Sequence, residues 1–278
     1  MKDKQHVTLW GQSIFLALFG LLCFAYPFAV IGVAFDVHPP FSLDWAGSAL
    51  LFLEGILLIV AASLRCTWLR GLIAGLIVII LSYLVETLGV GTGVPFGVYR
   101  YTHVLFPRLP GGVPMAVLFA WVLIVFGVYG CVHVDKRRIG VLNALLGATL
   151  ATLLDLEIEP VAAHIEHYWE WLAPGYVNYY GVPLANFAAW FFVAFVLLLL
   201  VDSVVFRLAP LPILPVLATP TLKLITITPR LLFGASLFMF GLVNLTHGYY
   251  GATLLGILAA LIVSGLLFMK RKKIYANT

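Results

Sequence analysis

The sequence predicts an all-α fold: a polytopic membrane bundle of eight transmembrane helices, with residues 1–278 forming one domain. Three observations carry this expectation. Hydrophobic residues make up 63% of the chain and charged residues 10%, where a soluble domain carries about 45–50% and about 25%. Apolar runs recur at the length of about 20 residues that a helix needs to cross a bilayer. Lys and Arg gather on alternate connections between those runs. With a mean hydropathy of +1.07, too few charges remain to cover a water-facing surface. A water-soluble fold, disorder, a coiled coil and a nucleic-acid partner are therefore all excluded.

The first run, 8–34, follows Lys2 and Lys4 and shows no small-x-small cleavage site. It reads as an uncleaved span, not a removed signal peptide. Runs at 45–64 and 68–90 are joined by a short link bearing Arg65 and Arg70, and runs at 113–133 and 139–160 enclose Lys136, Arg137 and Arg138. Runs at 183–206, 229–246 and 250–269 complete the set. Residues 208–228 are also apolar, but Pro210, Pro212, Pro215 and Pro220 remove backbone donors and break helix. That stretch is expected to be an irregular connection against the membrane surface. Cys23, Cys66 and Cys131 are odd in number and lack C-x-x-C spacing, which reads as three buried apolar residues and not as a disulfide framework or zinc site.

Charge tests the count. With the N-terminus inside, the inner segments hold Lys2, Lys4, Arg65, Arg70, Lys136, Arg137, Arg138, Arg207, Lys223, Arg230, Lys270, Arg271, Lys272 and Lys273. The outer loops hold Arg100 and Arg108. Fourteen against two fits the positive-inside rule. An odd number of spans would put Lys270–Lys273 outside. Eight spans in the cell (inner or plasma) membrane, with both termini cytoplasmic, is the expected topology.

The outer side differs in character. Its first loop carries Asp36, His38 and Asp44. The connection between the third and fourth spans is Gly-rich and aromatic over Gly91–Tyr101. The connection between the fifth and sixth carries His164, Glu166, His167, Tyr168, Trp169, Glu170, Trp171 and Tyr176. Tyr and Trp at this depth are ordinary interfacial anchors, which suffices for Trp169 and Trp171 but not for a Gly-flanked Pro95-Phe96 turn beside Tyr99 and Tyr101.

Acids inside spans are costly and usually face the protein interior. Glu54 falls near the middle of the second span and Glu86 toward the outer end of the third. Asp155 and Glu159, four apart, share one face of the fifth. Glu157 lies about 200° round from each. Asn186 and Trp190 stand at the outer end of the sixth span, Asn244 and His247 at that of the seventh. Most of these polar groups thus gather at one depth, toward the outer leaflet. Two carboxyls on one face in a low dielectric cannot both ionise cheaply, so the Asp155/Glu159 pair is a candidate proton donor. The plain alternative is that these acids only hydrogen-bond helices together. His164, Glu166, His167 and Glu170 could suggest a metal-dependent hydroxylase, although they follow Pro160 in an expected solvated loop. A proton-coupled transporter of a hydrophobic substrate is a third reading, with no pair of matching broken helices to favour it.

Three blocks carry a family resemblance. They are Glu86-Thr87-Leu88-Gly89 with Thr92–Tyr101; Asp155–Ala162 with Tyr168-Trp169-Glu170-Trp171; and Tyr179–Phe187 with Trp190. In this order they resemble the membrane family of CruF-type carotenoid hydratases (carotenoid biosynthesis proteins), over about residues 80–190. The resemblance implies addition of water to the terminal C1=C2 double bond of an acyclic carotenoid end, γ-carotene or lycopene-like, or a C50 bacterioruberin precursor in haloarchaea. A pI near 9.0 favours a C40 substrate, because haloarchaeal proteins are typically acidic. The implied partners are the carotenoid, the lipid bilayer and water as co-substrate, with no redox cofactor and no metal.

Such a reaction needs a strong, desolvated acid to protonate C2 and a stabilised tertiary cation at C1. The candidate catalytic residues are Asp155, Glu159 and Glu86, with Glu86 or Asn186 to orient water. The substrate-binding candidates are Pro95, Phe96, Tyr99, Tyr101, Trp169, Trp171, Asn186 and Trp190, the rings of Tyr99, Tyr101 and Trp190 offering faces to a cation.

Overall fold

The structure is a computed structural model that describes residues 2–37, 39–132, 140–173, 175–206 and 219–275. His38, Lys136, Arg137, Arg138, Arg207 and residues 208–218 of the sequence reading lie outside the described residues. Eight helices follow in order: α1 (Lys2–Ala34), α2 (Ala46–Arg65), α3 (Trp68–Thr92), α4 (Met115–Val132), α5 (Gly140–Pro160), α6 (Leu184–Phe206), α7 (Thr219–Thr246) and α8 (Tyr250–Tyr275). Among the described residues all eight are long and apolar enough to cross a membrane. The fold is an all-α polytopic helical bundle.

The centre of the bundle is α4. Of its apolar window 83% is buried, against 17% for α1 and for α8, which lie at the periphery. In α4, Gly127 and Gly130 let α7 come close: a Cβ at Gly127 would stand 3.1 Å from Cβ of Phe233, and one at Gly130 would stand 2.7 Å from Cβ of Pro229. Small residues at such crossings replace the hydrophobic drive that lipid cannot supply. Arg230 adds a hydrogen bond from Nε to the Gly130 carbonyl, 2.6 Å.

Two proline readings are corrected. The chain is helical from Thr219, so residues 219–228 belong to α7 and are not an irregular connection. Pro229 lies inside the helix, held there by its contact with α4. Pro160 is the last residue of α5 but does not stop the helical path, because the chain continues as one π-helical turn over Val161–Ile165. His164 is on that turn and not in a solvated loop. Having no N–H, Pro160 leaves the Leu156 carbonyl without its helical donor, and the Tyr179 hydroxyl donates to it instead at 3.1 Å.

The two long aromatic connections meet at one end of the bundle. Strand β1 (Tyr99–Tyr101) pairs antiparallel with β2 (Trp169–Trp171), with Tyr99 opposite Trp171 and Tyr101 opposite Trp169. Alternation sends Tyr99 and Tyr101 inward and Arg100 outward. On the outer face Arg100 pairs with Glu170 at 2.7 Å. Arg108 donates to the Tyr101 and Thr102 carbonyls. A second small ribbon, β3 (Asn178–Tyr179) with β4 (Val182–Pro183), leads into α6. Gly97, at φ +120°, holds the turn before β1 against Pro183 and Trp171, where a side chain would have no room.

Candidate active site

The inner face of the β1–β2 ribbon delivers four donors to two buried carboxyls. Glu86, on α3, accepts the Tyr99 hydroxyl at 2.7 Å and the Tyr101 hydroxyl at 2.8 Å, both on Oε2. Its Oε1 accepts the indole N–H of Trp121 at 2.8 Å. Glu159, on α5, accepts Trp169 Nε1 at 3.0 Å and Trp171 Nε1 at 2.9 Å, again both on Oε2. Burial, and then the adjacent Glu86, pushes the Tyr99 and Tyr101 phenols up from their ordinary value, so both remain O–H donors.

Asp155 and Glu159 meet on one helix face through a third residue. Asn186 Nδ2 donates to Asp155 Oδ2 at 3.0 Å and to Glu159 Oε1 at 2.9 Å. One amide group spans both acids, one hydrogen to each. Asp155 Oδ1 is buried and, among the described residues, accepts no hydrogen bond. Asp155, Glu159 and Glu86 lie close enough to act on one another electrostatically.

These groups border an apolar cavity of about 130 Å³ inside the bundle. Of the residues the sequence singled out, Glu86, Glu159, Phe96, Tyr99, Tyr101, Trp169, Trp171, Asn186 and Trp190 line it. Asp155 and Pro95 do not: Asp155 is wholly buried behind Asn186. Trp121, which the sequence did not single out, lines it too, as do Glu166 and Tyr168 of the connection after α5. Trp121 holds Glu86 and stacks on Trp190, with ring centres 4.1 Å apart and planes at 18°. Within an apolar run it carried no signal beyond its N–H. Tyr168 turns its hydroxyl toward Gly47 at the start of α2, where a Cβ would stand only 2.7 Å away. Glu54 also lines the cavity, from α2.

The remaining polar residues lie elsewhere. Both Glu157 oxygens are buried with no hydrogen bond among the described residues, pressed against Gly241 of α7 and Gly256 of α8. Asn244 Nδ2 donates to the Glu157 backbone carbonyl at 2.8 Å. His164 Nε2 meets the Tyr180 carbonyl at 2.7 Å. Among the described residues, no three His, Cys, Asp or Glu side chains converge as a metal-binding group.

The family described as carotenoid biosynthesis protein matches residues 46–263. The chain belongs to that family. The match takes in α2 to α7 whole, the first part of α8, both ribbons and every residue lining the cavity except Val33 of α1. Among carotenoid biosynthesis proteins, the chain is similar to bisanhydrobacterioruberin hydratase of Haloarcula japonica, with 36% identity over 124 residues. That is 44% of this chain and 41% of the relative, so the alignment spans about two fifths of the length of the curated protein it matches. No solved structure matches.

Proposed function

We propose that this protein is a carotenoid hydratase, adding water across the terminal C1=C2 double bond of an acyclic end and leaving a tertiary alcohol at C1. The observation that carries the reading is the pair Glu86 and Glu159: two carboxyls, each given three N–H or O–H donors, set in the wall of an apolar cavity. An apolar cavity suits a polyene. Buried carboxyls suit proton transfer to carbon, and an anion beside the reacting end stabilises a carbocation.

The chemistry balances without an oxidant. A proton is added to C2, the cation forms at C1, water attacks it, and the water returns one proton to a carboxylate. Glu86 and Glu159 are the carboxylates that face the substrate. Asp155 works through the Asn186 amide as a positioning residue for Glu159. The faces of Trp190, Tyr99 and Tyr101 flank the cation, and Phe96, Trp169 and Trp171 shape the cavity around the chain end. Pro95 acts indirectly, by holding the turn before β1. We further propose that the chain is multi-pass in the cell membrane with both termini cytoplasmic, so that the ribbon end lies at the outer leaflet, where the end of a long polyene meets water.

The test is expression in bacteria that make lycopene or γ-carotene, with bisanhydrobacterioruberin as a third substrate, followed by mass spectrometry. The expected product is heavier by one water, and its oxygen-18 label comes from water. Label arriving from molecular oxygen would replace the hydratase with a hydroxylase. Pigment of unchanged mass with all three substrates would end the enzymatic reading.

A further inference from the structure

Hydration of an alkene asks two different things of the protein. One group must give a proton to C2, and another must take a proton from the water that attacks C1. Four carboxyls line the cavity; Glu166 is hydrogen-bonded by the Tyr168 hydroxyl, and hydrogen bonds sort the other three into two kinds. Glu86 and Glu159 each accept three donors, the environment of a carboxylate. Glu54 also lines the cavity, yet among the described residues nothing hydrogen-bonds its carboxyl. It is 4% exposed.

The surroundings of Glu54 are apolar. Leu50 and Leu51 precede it on α2, Phe240 and Val243 line the cavity from α7, and Val33 lines it from α1. Tyr26 is close enough to interact electrostatically with Glu54, but its hydroxyl donates to the Ala235 carbonyl. Glu54 also stands apart from the electrostatic cluster of Glu86, Asp155 and Glu159. A carboxyl with no donor and no cation beside it gains nothing from ionising, so it rests as the neutral acid. Resting as an acid with its O–H free toward a hydrophobic ligand is what a proton donor to carbon requires.

We propose that Glu54 is a further catalytic residue, the acid that protonates C2, while Glu86 and Glu159 form the anionic side that receives the proton of water. The proposal rests on the hydratase reading above. The Glu54 O–H bond breaks as the C2–H bond forms, leaving the Glu54 carboxylate beside the tertiary cation. Water oxygen bonds to C1 and passes its proton to Glu159 or Glu86. That proton returns to Glu54 through water in the emptied cavity, and the sum is alkene plus water giving alcohol.

Two measurements on the full-length protein in detergent test this. In the first, Glu54→Gln keeps shape and removes the acid. Turnover per folded protein is expected to fall about 100-fold or more, with carotenoid binding, read from the bound pigment's absorption, retained. Glu54→Asp is expected to keep part of the activity. Turnover of Glu54→Gln near that of the wild type overturns the proposal while leaving the hydratase reading intact. A wild-type protein that adds no water overturns both. The second needs no variant. Dicyclohexylcarbodiimide, an apolar reagent for protonated carboxyls, is expected to label Glu54 and to spare Glu86 and Glu159, and lycopene is expected to protect Glu54. Label on Glu86 or Glu159 with Glu54 untouched overturns the assignment, even if the substituted proteins fail to fold.

Discussion

The indole of Trp121 lies flat on that of Trp190, 4.1 Å between ring centres, while its own N–H holds Glu86 Oε1 at 2.8 Å. Trp190 stands one helical turn beyond Asn186, which holds Glu159. The stack therefore couples the Glu86 side of the cavity to the Glu159 side through two rigid aromatic planes. Replacing Trp121 by Phe keeps a ring for the stack and removes the donor. A hydrogen bond to a charged group is worth about 1.5–3 kcal/mol. Turnover of Trp121→Phe is expected to fall about 10-fold or more with folding largely kept, as judged by monodispersity and thermal unfolding in detergent. Unchanged turnover would show that Glu86 does not depend on this donor.

The carboxyl variants separate chemistry from structural glue. Glu86→Gln and Glu159→Gln are each expected to lower turnover per folded protein by about 100-fold or more. Asp155→Asn should lower kcat with KM little changed and displace the pH profile, because Asp155 acts through Asn186. Poor expression with full activity in the surviving protein would instead mark all three as structural.

Glu157 provides the contrasting case. It lies outside the cavity lining, its carboxyl lodged against Gly256 so closely that a Cβ there would stand 1.6 Å from Oε1. Glu157→Gln is expected to keep turnover within about threefold of wild type. Gly256→Ala is expected to cost at least about 1–3 kcal/mol through overpacking, seen as a lowered unfolding temperature. A strong catalytic defect in well-folded Glu157→Gln would bring Glu157 into the mechanism.

The phenols of Tyr99 and Tyr101 give a pH dependence. Burial and Glu86 push both up, so the folded state keeps protons that the unfolded state releases near pH 10. The stability they contribute is intact below about pH 10 and is lost progressively above it. Thermal unfolding followed from pH 8 to pH 11 should show this fall, and Tyr99→Phe with Tyr101→Phe should flatten it.

Orientation is open to a direct test. Reporter fusions at residue 278 and near Arg108 are expected to report cytoplasm and exterior respectively. A C-terminus on the outer side would invert the site's position in the membrane.

Much of this was legible from residue order. Eight apolar runs and a lopsided distribution of Lys and Arg are long-range signals that no local detail can erase. The four-residue spacing of Asp155 and Glu159 fixes a shared face whatever surrounds it. The β1–β2 ribbon was not legible, because strands of three residues carry too little alternation to stand out. Trp121 looked like any aromatic in an apolar span until Glu86 was seen beside it. The helix through Pro160 and Pro229 was hidden for a different reason: proline's cost is met by tertiary contacts, Tyr179 in one case and the face of α4 in the other.

The donors of Glu86 all lie within residues 86–121, and those of Glu159 within residues 159–186. Each carboxyl is thus furnished by its own stretch of chain, on either side of the segment between α4 and α5. The two halves carry their own carboxyl donors and meet in the β1–β2 ribbon and the Trp121–Trp190 stack, and synthesis completes the first before the second begins. Two separately translated pieces, ending at Val132 and starting at Gly140, would each carry one carboxyl with its three donors. Pigment hydration restored on co-expression of the pair, and absent from either alone, would be the signature of that modularity.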